Sequence, residues 1–268
     1  MSTRETPWPD ATPNWVELST PDFDAARRFY QELFGWTVKD EPTGRSADCY
    51  LDGRRVCGIS CGAEQLDGGH WGGGQPSAWI SYFAASDAAA VLGRVHRAGG
   101  WIQAGPVPDG DRCIRAVATD PLGAVFGLWQ AGSHFGAEWV NEPGTLVWNE
   151  HLSLDYLAPQ PFYAEAFGWQ YRDISVGEFR YATCRAADER EVGGIGEPPA
   201  DLPVLAGRWL VYFAAADTDA VVDRLLRLGG GVVLPAIDTP HGRLAVVRDD
   251  QAAVFALLGP SKAGSDGS

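Results

Sequence analysis

The chain has 268 residues, 45% of them apolar, with a formal net charge of −14 and a sequence pI near 4.7. That length accommodates two domains, each with its own buried core. So acidic a surface, with no local Lys/Arg cluster to offset it, repels phosphate backbones and anionic lipid, which excludes nucleic acid and membrane surfaces as partners.

Residues 1–12 read as a loose leader without the apolar segment of a signal peptide, and no later apolar run approaches membrane-spanning length, so a cytoplasmic protein is expected. Trp15–Ser19 alternates as a short strand, and Thr20 or Asp22 can cap the helix that follows. Ala26, Phe29, Tyr30, Leu33 and Phe34 fall on one face of that helix, which Gly35 stops. Strands are expected near Trp36–Val38, Cys49–Leu51 and Arg55–Ile59. The pattern then restarts. Trp79–Ala84 reads as a strand and Ala88–Ala98 as a helix ended by Gly99-Gly100, with strands near Trp101–Ile102, Cys113–Thr119 and Ala124–Trp129.

The second half of the chain repeats the first at a period of about 130 residues, which suits a duplicated domain and not a solenoid. NWVELSTPDFDAARRFYQELFGW (Asn14–Trp36) matches VWNEHLSLDYLAPQPFYAEAFGW (Val147–Trp169), and Trp79–Gly100 matches Trp209–Gly230. Pro159 and Pro161 stand where Ala26 and Arg28 stand in the first copy, so the third helix is expected to start late. Five cysteines (Cys49, Cys57, Cys61, Cys113, Cys184) form no CxxC pair, and an odd count closes no disulfide set. They are expected to be reduced and mostly buried.

This βαβββ tandem resembles the vicinal oxygen chelate superfamily over residues 13–260. The likeness rests on the FY…FGW signature after the first strand, HFGAEWVNEPGTLVWNE across the linker and the DPLGAVFGLWQ ending. That superfamily includes glyoxalase I, extradiol dioxygenases and the fosfomycin- and bleomycin-resistance proteins, and the resemblance points to a two-domain actinobacterial branch. It implies an α+β fold of four tandem βαβββ units forming two cupped mixed-sheet, glyoxalase-like domains, at residues 13–132 and 146–260. A linker over 133–145 and a disordered tail over 261–268 complete the expected organisation. Whether each half cups its own units or exchanges them is open.

Metal-dependent members of such a family place a ligand in the first strand of each unit and a Glu near the end of the last strand. Carried over by register, these positions fall at Trp15 (with Glu17 next on that face), Trp79 and Gln130, and at Trp148 (with Glu150 next), Trp209 and Gly259. An indole has no lone pair for a metal and Gly259 has no side chain, so neither a metal nor any other cofactor is expected. Trp15, Trp79, Trp148 and Trp209 either line a cup that stacks planar ligands or fill it as core. Glu17 and Glu150 are either acceptors or general bases for a ligand hydroxyl, or structural acids bonded to backbone or Arg. DGGHWGGGQPS (Asp67–Ser77) is either a flap carrying His70 and Trp71 over a pocket or a plain linker.

The expected function is metal-independent binding of a planar or aromatic small molecule, in resistance by sequestration or as an accessory in antibiotic biosynthesis. An oxygenase partner fits the second role, and either a monomer or a homodimer is compatible. The alternative is a glyoxalase-type lyase, isomerase, dioxygenase or cofactor-free hydroxylase or cyclase. In that case Glu17 or Glu150 would act as base, with Gln130 or His70 assisting.

Overall fold

Short alternating strands and four helices assemble into two sheets of eight strands in a computed structural model that describes residues 2–41, 46–61 and 77–262. The first half holds β1 (Ser2–Thr3), β2 (Pro13–Thr20), α1 (Phe23–Phe34), β3 (Thr37–Asp40), β4 (Ser46–Leu51) and β5 (Arg54–Cys61). It continues through β6 (Ala78–Ala84), α2 (Ala88–Arg97), β7 (Trp101–Asp109), β8 (Cys113–Thr119) and β9 (Val125–Ala131). After β10 (Trp139–Val140) the second half repeats the order as β11 (Leu146–Leu152), α3 (Gln160–Phe167), β12 (Gln170–Asp173), β13 (Tyr181–Arg185) and β14 (Glu191–Gly196). It ends with β15 (Arg208–Ala214), α4 (Thr218–Arg227), β16 (Gly231–Thr239), β17 (Gly242–Arg248) and β18 (Val254–Gly259).

Strand order is β3-β4-β5-β2-β6-β9-β8-β7 in the first sheet and β12-β13-β14-β11-β15-β18-β17-β16 in the second. Two βαβββ units meet in each half through an antiparallel pair of their first strands, β2 with β6 and β11 with β15. Each half therefore cups its own units. Asp22 caps α1 by accepting from the Ala25 amide at 2.9 Å. α3 has no side-chain cap and runs only eight residues against twelve in α1, because Pro159 stands at its N-cap and Pro161 in its first turn.

The sheet curls strongly. Asp48 on β4 and Arg112, just before β8, lie five strand steps apart, about 24 Å across a flat sheet. Their side chains nevertheless meet at 3.1 Å. Such closure makes the face opposite the helices concave, and this face is the cup.

The helix-bearing faces of the two sheets pack against each other and form the main core. Here the repeated signature has its physical role. Tyr30 on α1 donates to Asp249 of the β17–β18 loop at 2.9 Å, and the Trp79 indole donates to Tyr30 at 3.0 Å. The mirror set joins Trp209 to Tyr163 at 2.8 Å and Tyr163 to Asp120 of the β8–β9 loop at 3.1 Å. Phe34 and Trp36 pack on Phe213, while Phe167 and Trp169 pack on Phe83. His151 adds one unmatched contact, its Nε2 lying 2.7 Å from Asp120.

The expectation of a loose leader is corrected. β1 pairs with β10, Trp8 donates to the Ala137 carbonyl, and Ala11 accepts from the Trp169 indole at 3.0 Å. These contacts staple residues 2–12 to the linker and to the second half. Cys49, Cys57, Cys113 and Cys184 are buried. Among the described residues no helix is long and apolar enough to cross a membrane. Residues 263–268 of the expected tail lie outside the described residues.

Candidate functional site

Period-two alternation decides which side chains enter each cup. In the first half Trp15 and Glu17 of β2 stand opposite Tyr82 and Ile80 of β6. In the second half Trp148 and Glu150 of β11 stand opposite Tyr212 and Leu210 of β15. The two cups share this frame and differ in what surrounds it.

The first cup is filled and pinned. Glu17 pairs with Arg115 of β8 at 3.1 Å and accepts from the Ser60 hydroxyl at 2.9 Å. Burial works against the Arg115 charge, but Glu17 foremost, with Tyr82, Asp109 and Cys113, offsets it and raises the guanidinium pKa. Trp15 and Trp129 are almost fully buried, with His134 wedged against both at 4.7 Å between ring centroids. The Trp129 indole donates to the His134 carbonyl, and the Gly136 amide donates to His134 Nδ1. Arg112 and Arg55 both bind Asp48, and Arg112 also binds Glu41, so ion pairs bridge the mouth. Burial would raise Asp48, but His134 and the two arginines hold its carboxyl below the usual range. His134 itself is pushed down by burial, with Asp48 pulling the other way.

The second cup lacks every one of these fillers. By register Leu244 replaces Arg115, Leu258 replaces Trp129 and Thr183 replaces Asp48. Its apolar cluster contains Leu210, Tyr212, Val246 and Ala256 buried, with Leu234, Leu244, Leu258 and Trp148 only partly covered. Glu150 sits on the floor, 8% exposed, and accepts a hydrogen bond from the Tyr212 hydroxyl. It forms no ion pair with any described residue. Burial without a cation pushes its pKa up to about 7, and the Tyr212 bond only partly restrains the rise.

Tyr181 lies along β14 over Gly194 and Gly196. A Cβ at Gly194 would stand 1.8 Å from the Tyr181 hydroxyl, and one at Gly196 would stand 2.9 Å from Glu150 Oε1. The two glycines are what let the ring reach the carboxylate. The Trp148 indole donates to the Tyr181 hydroxyl at 2.9 Å, and Phe179, half exposed, stacks on Tyr181 at 5.4 Å. Aromatic surface thus runs from solvent at Phe179 through Tyr181 and Trp148 to Glu150.

Several expected site residues lie elsewhere. Trp79 and Trp209 are not on a cup floor. They pair with Leu18 and His151, one step out of phase with the glutamates, and are buried between the two sheets. Gln130 also faces the helix side, where its carbonyl oxygen accepts from the Ala88 amide at the start of α2. Trp15 fills the first cup as core, and Glu17 is held by Arg115, as a structural acid would be. Trp148 and Glu150 are the pair brought together in the more open cup. His70 and Trp71 lie outside the described residues.

Sequence reasoning missed Arg115, Tyr212 and Tyr181. An Arg at 115 against Leu244, in otherwise matching apolar strands, was the available signal for the first.

The cup frame is that of a metal-binding fold, so the donor chemistry matters. The inward positions hold Glu17 with Ile80, Tyr82 and Trp129, and Glu150 with Leu210, Tyr212 and Leu258. These positions supply one carboxylate per cup, and the first cup's further carboxylates, Asp48 and Glu41, are engaged by Arg55 and Arg112, so neither cup makes the three or four N or O donors that a divalent ion needs. Among the described residues no cluster of three His, Cys, Asp or Glu side chains could hold a metal. The residues present do not fit the family's metal.

Comparison with known proteins places this architecture. The profile of the Glyoxalase/Bleomycin resistance protein/Dioxygenase superfamily matches residues 12–128. The chain is 37% identical over 258 residues to the putative glyoxylase CFP32 of Mycobacterium tuberculosis, covering 93% of this chain and 95% of that protein. It is 32% identical over 262 residues to the anthracycline biosynthesis protein DauV of Streptomyces sp. (strain C5), covering 92% of each. The protein belongs to this superfamily. Among solved structures it is similar to the Mn(II)-bound glyoxalase from Novosphingobium aromaticivorans (TM-score 0.63, 15% identity, 93% of this chain and 82% of that one). It is also similar to 2,2',3-trihydroxybiphenyl 1,2-dioxygenase from Sphingomonas wittichii strain RW1 (TM-score 0.60, 15% identity, 94% and 91%). At that identity the likeness is one of fold.

Proposed function

We propose that the second cup is a metal-independent binding site for a planar aromatic small molecule, and that the protein serves in the making or neutralising of an aromatic natural product. The observation that carries this reading is the contrast between two cups on one frame. The first is plugged by Trp15, Trp129 and His134 and closed by ion pairs, whereas the second keeps apolar walls and an aromatic shelf leading to a lone carboxyl group. Broad indole and phenol faces over aliphatic walls suit stacking against a flat ring system. Relatives named for anthracycline biosynthesis support the same chemical class of ligand.

Glu150 also supports a second reading, metal-free proton transfer on the bound compound. A carboxyl group with a pKa of about 7 suits a general acid or base near neutral pH.

Tryptophan fluorescence titrated with an anthracyclinone, with and without chelator, tests the binding proposal. Quenching is expected at an affinity the chelator leaves unchanged, and Trp148→Phe should weaken it. Loss of binding on chelation, or a Trp148→Phe variant that binds as the parent does, would refute it.

A further inference from the structure

Glu150 combines features that constrain its ligand beyond flatness. Tyr212 on β15 donates to one carboxylate oxygen, Oε2, and no hydrogen bond from a described side chain reaches Oε1. The titratable groups facing it are few. β13 contributes Tyr181, itself beside Glu191 on β14, and β15 contributes Tyr212 and, on the same face opposite Leu152, Arg208, whose guanidinium donates to the Val204 carbonyl and not to Glu150. β14 opposes Glu150 with Gly194, Leu244 of β17 packs on the same apolar cluster, and no cation pairs with the carboxyl group. In the first cup Arg115 fills that electrostatic role.

A carboxylate so placed has lost most of its water and gained one donor. Covering the cup with a flat ligand removes what hydration is left, which is unfavourable unless the ligand returns a hydrogen bond. A ligand carrying its own negative charge would bring two anions together in an apolar pocket where no cation pairs with Glu150.

We propose that the second cup selects an uncharged planar aromatic whose edge presents a phenolic or enolic hydroxyl to Glu150 Oε1, and that it rejects anionic analogues of the same shape. This rests on the reading of that cup as a planar-ligand site. It makes acidic conjugates poor ligands and hydroxylated, unconjugated ring systems good ones. It also makes the preference dependent on pH. Above the titration of Glu150 the carboxylate is the stronger acceptor and the stronger repeller, so discrimination rises with pH.

Three bicyclic probes of one shape test the proposal by calorimetry on the full chain: 2-naphthol, naphthalene and 2-naphthoate. At pH 8 the parent protein should bind 2-naphthol about tenfold or more tighter than naphthalene, the scale of one hydrogen bond to a charged group, with 2-naphthoate weakest. At pH 5.5 the gap between 2-naphthol and 2-naphthoate should shrink. Glu150→Gln should flatten that pH dependence and restore 2-naphthoate binding. Tyr212→Phe keeps the carboxyl group but removes its donor, so the pH at which discrimination sets in should move upward.

Equal affinity for the three probes at pH 8, or the same selectivity in Glu150→Gln as in the parent, overturns the hydroxyl-recognition proposal while leaving planar binding in place. If no probe binds and the anthracyclinone does not either, both readings fall together. If Glu150→Gln does not fold, the parent's own pH profile and the Tyr212→Phe shift still decide the matter.

Discussion

Replacing Glu150 by Gln should make the protein's stability less sensitive to alkali. In the folded chain burial lifts the carboxyl group from its ordinary 4.5 to about 7, so between those values the native state binds a proton that the unfolded chain releases. The contribution of Glu150 to stability is then greatest below pH 4.5, falls as pH rises towards 7, and levels off above it. Each pH unit of that interval is worth about 1.4 kcal/mol, so at pH 8 ionising Glu150 costs roughly 3 kcal/mol, and at pH 5 roughly 1 kcal/mol. Glutamine can still accept from Tyr212 and carries no charge at either pH. Urea denaturation of both proteins at pH 5 and pH 8 measures the difference. The parent should lose roughly 2–3 kcal/mol more than Glu150→Gln between the two pH values. Because the other titrating groups, Asp48, His134 and Asp249 among them, are common to both proteins, the comparison isolates position 150. Parallel pH profiles would show that Glu150 is not a desolvated, uncompensated carboxyl group, and the account of the second cup would fail with it.

Other substitutions probe the remaining parts of the design. Arg115→Leu leaves Glu17 without its cation in the first cup and should destabilise by about 3 kcal/mol, while adding Glu17→Gln should recover most of that loss in a double-mutant cycle of denaturation midpoints. Gly194→Ala drives a methyl group into the Tyr181 ring, so it should displace the aromatic shelf and weaken anthracyclinone binding more than it lowers the melting temperature. Tyr163→Phe and Tyr30→Phe each remove the donor to a buried aspartate between the sheets, and each should cost about 1–3 kcal/mol by thermal melting. Tyr163→Phe should be the milder of the two, since His151 still reaches Asp120.

The fold was legible in the sequence because duplication prints the same packing twice. FY, FGW and the strand-opening Trp recur since they make one interface from both sides, and Gly35 and Gly168 recur because both helices end in a left-handed residue, φ 75° and 73°. The face assignment of Trp79 and Trp209 was not legible. Periodicity gives the two faces of a strand but not which one is inward. In WISYFAA, buried on both sides, the polar Ser81 stands on the same face as Trp79 and is itself buried, bonded to Asn149, so it does not mark the solvent side. Glu17 and Glu150 escaped that ambiguity only because each is the charged residue in its strand. Their different environments depend on Arg115, Asp48 and Arg112, which come from strands two and three positions away from β2 in the sheet, on either side of it. Such contacts exist only after the sheet has curled.

That curl also explains why two equal frames support unequal chemistry. A closed cup can be stabilised by filling it with side chains or left to be filled by a ligand, and one chain can do each once. In the first half the linker supplies His134 as a plug and the leader ties that linker in place through β1 and β10, so the first cup takes on the stabilising role. In the second half the turn at Pro203–Leu205 lays Leu205 and Leu202 on the cup's apolar cluster, while Leu234, Leu244 and Leu258 remain partly exposed. The two cups are coupled through the Tyr30–Asp249 and Tyr163–Asp120 contacts, each joining a helix of one half to a loop of the other. With both halves tied together in this way, the second cup keeps at its floor a desolvated carboxyl group, Glu150, that no cation compensates.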